Sequence, residues 1–244
     1  MHEHEIWLTA LFNRFLAAPA NAVLDLFKVE HEAAHPWTNW MSMELFVVAL
    51  LVIVFAVLRS QLSVDRPGRL QHVFEVIYGF FRGQASDYID HHPEKFADFS
   101  TTLFVFILFM NLIGVIPAFQ SPTMYPMVPL GCALAVLAYY NWMGLRAQGV
   151  WGYMKHFAGP TPALAPLMVP IELISHLARP LSLTIRLYAN MFAGEQVTMA
   201  FLALTYLIVP SLFMGLHVFV GFLQAYVFAL LTLIYVGSAV AHEH

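Results

Sequence analysis

Leu181-Ser182-Leu183-Thr184-Ile185-Arg186-Leu187-Tyr188-Ala189-Asn190 sets one permanent cation in the middle of a run otherwise built to avoid water. The run is long. From Pro160 to Ala241 the chain is almost wholly apolar, interrupted by single polar residues rather than by loops. An arginine at a helix centre in lipid costs about 2.5–3.5 kcal/mol on insertion scales, so a chain carries one there for a use. Its guanidinium keeps its proton at any physiological pH: it can hold a carboxylate but cannot relay a proton.

Composition agrees with a lipid setting. Apolar residues make up 60% of the 244 and charged residues 11%, with a mean hydropathy of +0.70. A soluble domain runs nearer 45–50% apolar and about 25% charged, so the surplus must face lipid. The net charge of −4 and the scattering of the 11 Lys and Arg give no nucleic-acid surface. Cys132 is the only cysteine, so no intrachain disulfide is possible, and its apolar neighbours read as packing. The opening Met1-His2-Glu3-His4-Glu5 is acidic, unlike the basic start of a signal peptide, and insertion is expected to use the internal apolar segments.

Those segments fall in order. Residues 1–40 read as an extracytoplasmic segment whose His and Glu are solvated. A first transmembrane helix lies within 41–62, its apolar core running Met43 to Leu58, with Trp37 and Trp40 placed as interfacial anchors. Residues 97–148 form a hairpin, with spans from Phe99 to Ile116, stopping at Pro117, and from Tyr125 to Met143, stopping before Arg146. Between them, 66–96 carries Leu70, Val73, Phe74, Ile77, Phe80 and Phe81 at helical spacing among Arg69, Glu75 and Arg82. That is the pattern of an amphipathic helix in the interface plane. Arg59, Arg66, Arg69, Arg82 and Lys95 lie between the first two spans, and Arg146 and Lys155 follow the third. The positive-inside rule makes that side cytoplasmic and leaves the N-terminus outside.

Residues 160–241 do not divide so simply. Pro160 to Pro210 would make about 75 Å of helix against a hydrocarbon core of ~30 Å. Either the segment breaks at Pro166, Pro170 or Pro180, or it lies steeply tilted. Glu172, Ser175, Arg179, Arg186 and Asn190 share one face of it at helical spacing, and Glu195 points to the opposite side. On the last helix His217 and Gln224, seven apart, share a face. Each has a plainer reading. Arg179, just before Pro180, fits neutralisation of Glu172; an intramembrane histidine can be hydrogen-bonded packing; for Ser175 and His176 the two readings weigh equally.

Arg186 to Glu195 (RLYANMFAGE), preceded by Arg179-Pro180-Leu181-Ser182-Leu183, closely resembles the arginine-bearing motif of subunit a of F-type ATP synthases. Leu223-Gln224-Ala225-Tyr226-Val227-Phe228 after His217 resembles that family's last segment, and Phe109 to Pro117 (FMNLIGVIP) its earlier hairpin. The resemblance is strong over 165–241, fair over 97–117 and weak before. It implies an all-α membrane protein in which two long tilted C-terminal helices pack against a ring of c-subunits. The function it implies is that of a proton-translocating stator: two half-channels meet the ring, separated by an essential arginine at the position of Arg186. By resemblance, Asn190, Glu195, His217 and Gln224 line the outer path, and Glu172 with Ser175 the cytoplasmic one. The implied partners are the c-ring, the subunit b stalk, other ATP synthase subunits and the lipid bilayer. No cofactor, no metal and no catalysis on this chain are implied. The setting is a bacterial inner membrane with the C-terminus cytoplasmic. Two positions depart from the pattern: Ala189 stands where many members have glycine, and Gly114 where some bacterial members have an acid.

Two other classes compete. A stand-alone ion-coupled transporter or channel usually shows internal repeats, and the Arg186 motif has no second copy here. A membrane haem protein would need axial ligands, and of the 12 histidines only His176 and His217 lie in apolar runs. The three lysines, Lys28, Lys95 and Lys155, lack the preceding glycine of a phosphate-binding loop.

Overall fold

A computed structural model describes residues 5–26, 35–64, 66–89, 92–116, 118–158, 165–204 and 208–240. The acidic residues at 30 and 32, the stop at Pro117 and the boundaries at Pro160 and Ala241 fall outside them. Among the described residues the chain is helical with no strand: α1 (Trp7–Phe15), α2 (Ala17–Leu26), α3 (Asn39–Ser60), α4 (Arg69–Tyr88), α5 (Glu94–Ile113), α6 (Met127–Ala158), α7 (Ala165–Leu204) and α8 (Ile208–Val240), with a 3-10 turn at Pro122–Met124. Four segments are long and apolar enough to cross a membrane: Asn39–Ser60, Glu94–Ile113, Met127–Gly149 and Val209–Val240. α7 is set apart by Glu172, Arg179, Arg186 and Glu195.

Several boundaries differ from the sequence expectation, each for a local reason. The amphipathic helix ends at Tyr88, and Phe96 belongs to the next helix, because α5 begins at Glu94. α6 runs past Arg146, whose guanidinium lies 5.1 Å from the ring of Trp142 one turn back. The chain breaks instead at Gly149, at φ 71°, a left-handed value that glycine adopts without steric penalty. The prolines do not break α7. Pro170 and Pro180 lie inside a helix of 40 residues, about 60 Å long at 1.5 Å per residue. Of the two readings, the break at a proline is not seen: α7 continues through both.

α5 and α8 form the centre of the bundle. Without a hydrophobic driving force between helices in lipid, close approach depends on small residues and on polar groups that bond across. Gly221, Ala225 and Ala229 recur every four residues on α8 and are buried. Across that stripe Ser100 Oγ donates to the Ala229 carbonyl at 2.9 Å and Asn111 Nδ2 to the Gly221 carbonyl at 2.8 Å. The same Asn111 accepts from Thr123 Oγ1 at 2.7 Å, and Ser121 Oγ donates to the Met110 carbonyl at 2.9 Å. One buried side chain thus ties helix, turn and helix together. Asn111→Ala leaves the Thr123 hydroxyl without its acceptor and is expected to destabilise the chain by about 1–3 kcal/mol. Thermal unfolding of the detergent-solubilised complex would show it as a lower midpoint; an unchanged midpoint would mean that the network contributes nothing.

The two ends of the bundle are distinct. At one, Phe119 after α5 stacks on Phe46 of α3 and meets Trp7 of α1 edge-on. There α1 is also held by the Thr9 and Ser42 hydroxyls, 2.6 Å apart and buried. At the other, Tyr139 Oη reaches the Lys95 carbonyl, Gln148 Nε2 donates to the Ala239 carbonyl at 3.2 Å, and Gly237 packs under the Tyr88 carbonyl. The end of α4, the start of α5 with Lys95, the far half of α6 with Arg146 and the end of α8 therefore meet at this end.

Candidate functional site

Arg186 sits near the middle of α7, half-buried, with Leu183 and Leu187 packed inward beside it and Leu181 and Ile185 exposed. Its guanidinium reaches Ser182 Oγ one turn earlier at 3.4 Å. Among the described residues no carboxylate pairs with it. The acids of α7 are placed otherwise. Glu172 faces Arg179 at 3.9 Å and His176 Nδ1 at 3.4 Å. Glu195, nine residues beyond Arg186 and so about 13.5 Å along the axis, turns toward α8.

There it meets His217. The two line a cavity of about 40 Å³ with Gly114, Val115, Thr198 and Met214, room enough for a water molecule beside a carboxylate and an imidazole. The His217 ring lies against Gly194, where any Cβ would run into Nδ1. Gly114 closes the rim, because a Cβ there would stand 2.8 Å from the Ser121 backbone nitrogen. An acidic side chain at this position would have to displace the turn. Gln224 is half-buried two turns further along α8, and Asn190 half-buried one turn beyond Arg186.

Of the residues expected from sequence, the structure brings together Glu195 with His217 and Glu172 with Arg179. Ser175 lies half-buried on the Glu172 side. Sequence reasoning missed Gly194, Asn111 and the company His176 keeps. Gly194 adjoins Glu195, and a glycine beside a membrane carboxylate facing a histidine was the available signal. Arg179 lies 5.0 Å from the Tyr235 ring and 5.7 Å from the Tyr140 ring, so it does more than neutralise Glu172. His176 and Gly194, the glycine that His217 touches, are 18 residues apart on α7, about 27 Å. Such a separation rules out joint ligation of one haem by the two histidines.

Fold and site together define a polytopic helical membrane protein with ionisable groups gathered along one long helix. A family model described as ATP synthase A chain matches residues 41–237. An ATP synthase subunit a from Solibacter usitatus (strain Ellin6076) is 59% identical over 234 residues, covering 96% of this chain and all of that protein. One from Koribacter versatilis (strain Ellin345) is 48% identical over 243 residues and 99% of each chain, and one from Sulfurihydrogenibium sp. (strain YO3AOP1) is 37% identical over 203 residues, 83% of this chain and 97% of that one. The chain belongs to the ATP synthase subunit a family, the proton-translocating stator subunits of the membrane sector; catalysis lies in other subunits.

Proposed function

We propose that Arg186 is the fixed cation that meets, one at a time, the carboxylates of a rotating ring of c-subunits. A carboxylate that loses its proton beside Arg186 is held as an anion, and the guanidinium bars direct passage between two half-channels. The outer half-channel consists of Asn190, Glu195, His217 and Gln224, the cytoplasmic one of Glu172 and Ser175. The subunit b stalk and other ATP synthase subunits hold this chain against the ring. The setting is a bacterial inner membrane, N-terminus outside and C-terminus cytoplasmic. The placing of Lys95 and Arg146 at the same end as the last residues of α8 supports that orientation.

One observation carries the reading: an arginine in the middle of a long, largely apolar helix whose only hydrogen bond among the described residues is a long one to a serine hydroxyl. A charge so placed needs an opposite charge from outside its own chain. Its surroundings are suited to a partner, since Leu177, Leu181 and Ile185 are more than half exposed on the same helix. Purification in a mild detergent is expected to recover the chain together with a small proteolipid ring. A monodisperse monomer that carries ion flux alone would point to the stand-alone transporter instead.

A further inference from the structure

Three polar side chains line the small cavity between α7 and α8, and the scheme above leaves one of them, Thr198, without a part. The Thr198 hydroxyl donates to the Gly194 carbonyl, one turn back on α7, at 2.8 Å. A backbone carbonyl only accepts, so the hydroxyl hydrogen is committed to that bond. Toward anything else Thr198 Oγ1 is an acceptor. Gly194 is also the residue on which the His217 ring rests, so hydroxyl and imidazole meet at one stretch of backbone. Glu195 is the next residue along. Among the described residues no hydrogen bond and no ion pair joins Glu195 to His217. The two share a space rather than a bond.

That space has the size and the lining of a water site. It measures about 40 Å³, where a water needs about 10–15 Å³ and two to four polar partners. Thr198, Glu195 and His217 supply three, the usual number for a buried water. Gly114, Val115 and Met214 complete the wall with no strong donor or acceptor on their side chains. We propose that one ordered water bridges Glu195 and His217, and that Thr198 is the positioning residue that orients it. The inference rests on the reading of Glu195 and His217 as part of the outer proton path. With its own hydrogen spent on Gly194, Thr198 Oγ1 takes one hydrogen of the water. The second hydrogen is left for a Glu195 carboxylate oxygen, and the water's lone pairs face the imidazole.

The transfer balances. A proton that reaches His217 makes it an imidazolium, whose N–H donates to the water. The water takes that proton and, in the same movement, gives its other hydrogen to the Glu195 carboxylate. One O–H bond forms on the water as another breaks, so it holds two hydrogens before and after. Imidazolium, water and carboxylate become imidazole, water and carboxylic acid, with the net charge unchanged. Outward pumping runs the same step backwards. The hydrogen held by Thr198 stays in place, which is what keeps the water aimed.

Thr198→Val is the informative change, because valine keeps the branched shape and lacks the hydroxyl. The Gly194 carbonyl retains its helical bond from the backbone N–H of residue 198, so the helix does not need the side-chain bond. The test uses the whole ATP synthase in inside-out vesicles, with ATP-driven pumping divided by the amount of assembled enzyme. Thr198→Val is expected to pump about fivefold more slowly, the worth of one neutral hydrogen bond. Glu195→Gln, by contrast, should lose about 10²-fold. Thr198→Ser restores the hydroxyl and should recover most of the flux that Thr198→Val loses. Parental pumping by Thr198→Val would overturn the proposal, and so would a Thr198→Ser variant as slow as Thr198→Val, which would mean that only packing was lost. A second measurement needs no variant. An electron cryomicroscopy map of the parent complex should show one water within about 2.6–3.2 Å of Thr198 Oγ1, a Glu195 oxygen and a His217 nitrogen. A map that shows other buried waters and none here overturns the proposal even if Thr198→Val fails to assemble. Glu195→Gln and His217→Ala in the same vesicles separate the water from the reading it rests on. If both pump at the parental rate, the outer path fails; if both are slow beside a parental Thr198→Val, only the oriented water fails.

Discussion

Arg186→Ala is expected to abolish ATP-driven proton pumping in membrane vesicles while the complex still assembles. Nothing in the fold depends on the guanidinium. Its bond to Ser182 is long, and Leu183 and Leu187 supply the packing on either side. Removing the charge removes an insertion penalty of about 2.5–3.5 kcal/mol, so the helix enters lipid more readily than before. What disappears is the single positive charge at mid-helix. Arg186→Lys should fail or nearly fail as well, because lysine is a compact point charge that can lose its proton when buried. A fluorescence-quench assay of pumping beside quantification of membrane-bound ATPase separates lost coupling from lost assembly. Pumping at the parental rate by either variant would remove Arg186 from the centre of the scheme.

Glu195→Gln and His217→Ala are each expected to slow proton flux by about 10²-fold, the lower end of what a positioned proton-transfer group contributes. The two share one small cavity, and His217 is seated on the Gly194 backbone so that its ring faces the position next to Glu195. Glu195 has no ion pair with Arg186 and stays free to exchange. An unperturbed histidine titrates near 6.5, so the pair can hold and pass a proton near neutrality. Moving one charge through the full potential is worth about 2.3 kcal/mol per 100 mV, and the entry pair must neither trap the proton nor refuse it. Pumping rate against the pH on the outer face reads the effect. The double exchange Glu195→His with His217→Glu should restore part of the flux if the groups touch. Unchanged profiles in both single variants would take these residues out of the path.

How much of this was legible in the sequence follows from which forces act locally. Hydrophobic runs long enough to span lipid are one-dimensional signals, and α3, α5 and the first part of α6 could be read from them. So could the exceptional position of Arg186, since a charge in an apolar run is visible without a fold. The ends were harder. α6 continues past Arg146, whose guanidinium lies over the Trp142 ring, a side-chain contact that hydropathy does not encode. Pro170 and Pro180 are breakers by local rule, yet α7 runs through both, with Leu183, Leu187 and Met191 buried against the bundle. The pairing of Glu195 with His217 was expected from resemblance and from titration chemistry, and the shared cavity supports it. The line from Leu137 through Asn141 and Tyr153 to His176 was invisible. It depends on the kink at Gly149 and on residues 12 and 23 positions apart meeting in space.

The length of α7 has a consequence for direction. Glu172 and Glu195 are 23 residues apart, about 34 Å along the axis. If 60 Å of helix is held within a core of ~30 Å, the axis leans about 60° from the membrane normal. The two acids are then separated by about 30 Å sideways and only about 17 Å in depth. On the scheme proposed above, in which these acids mark proton entry and exit beside a rotor, that sideways distance becomes an arc and the two points acquire different compass bearings. A carboxylate loaded at one bearing can be emptied only at the other. On that scheme the lean of a single helix, left or right, would fix which way round a downhill proton drives the wheel.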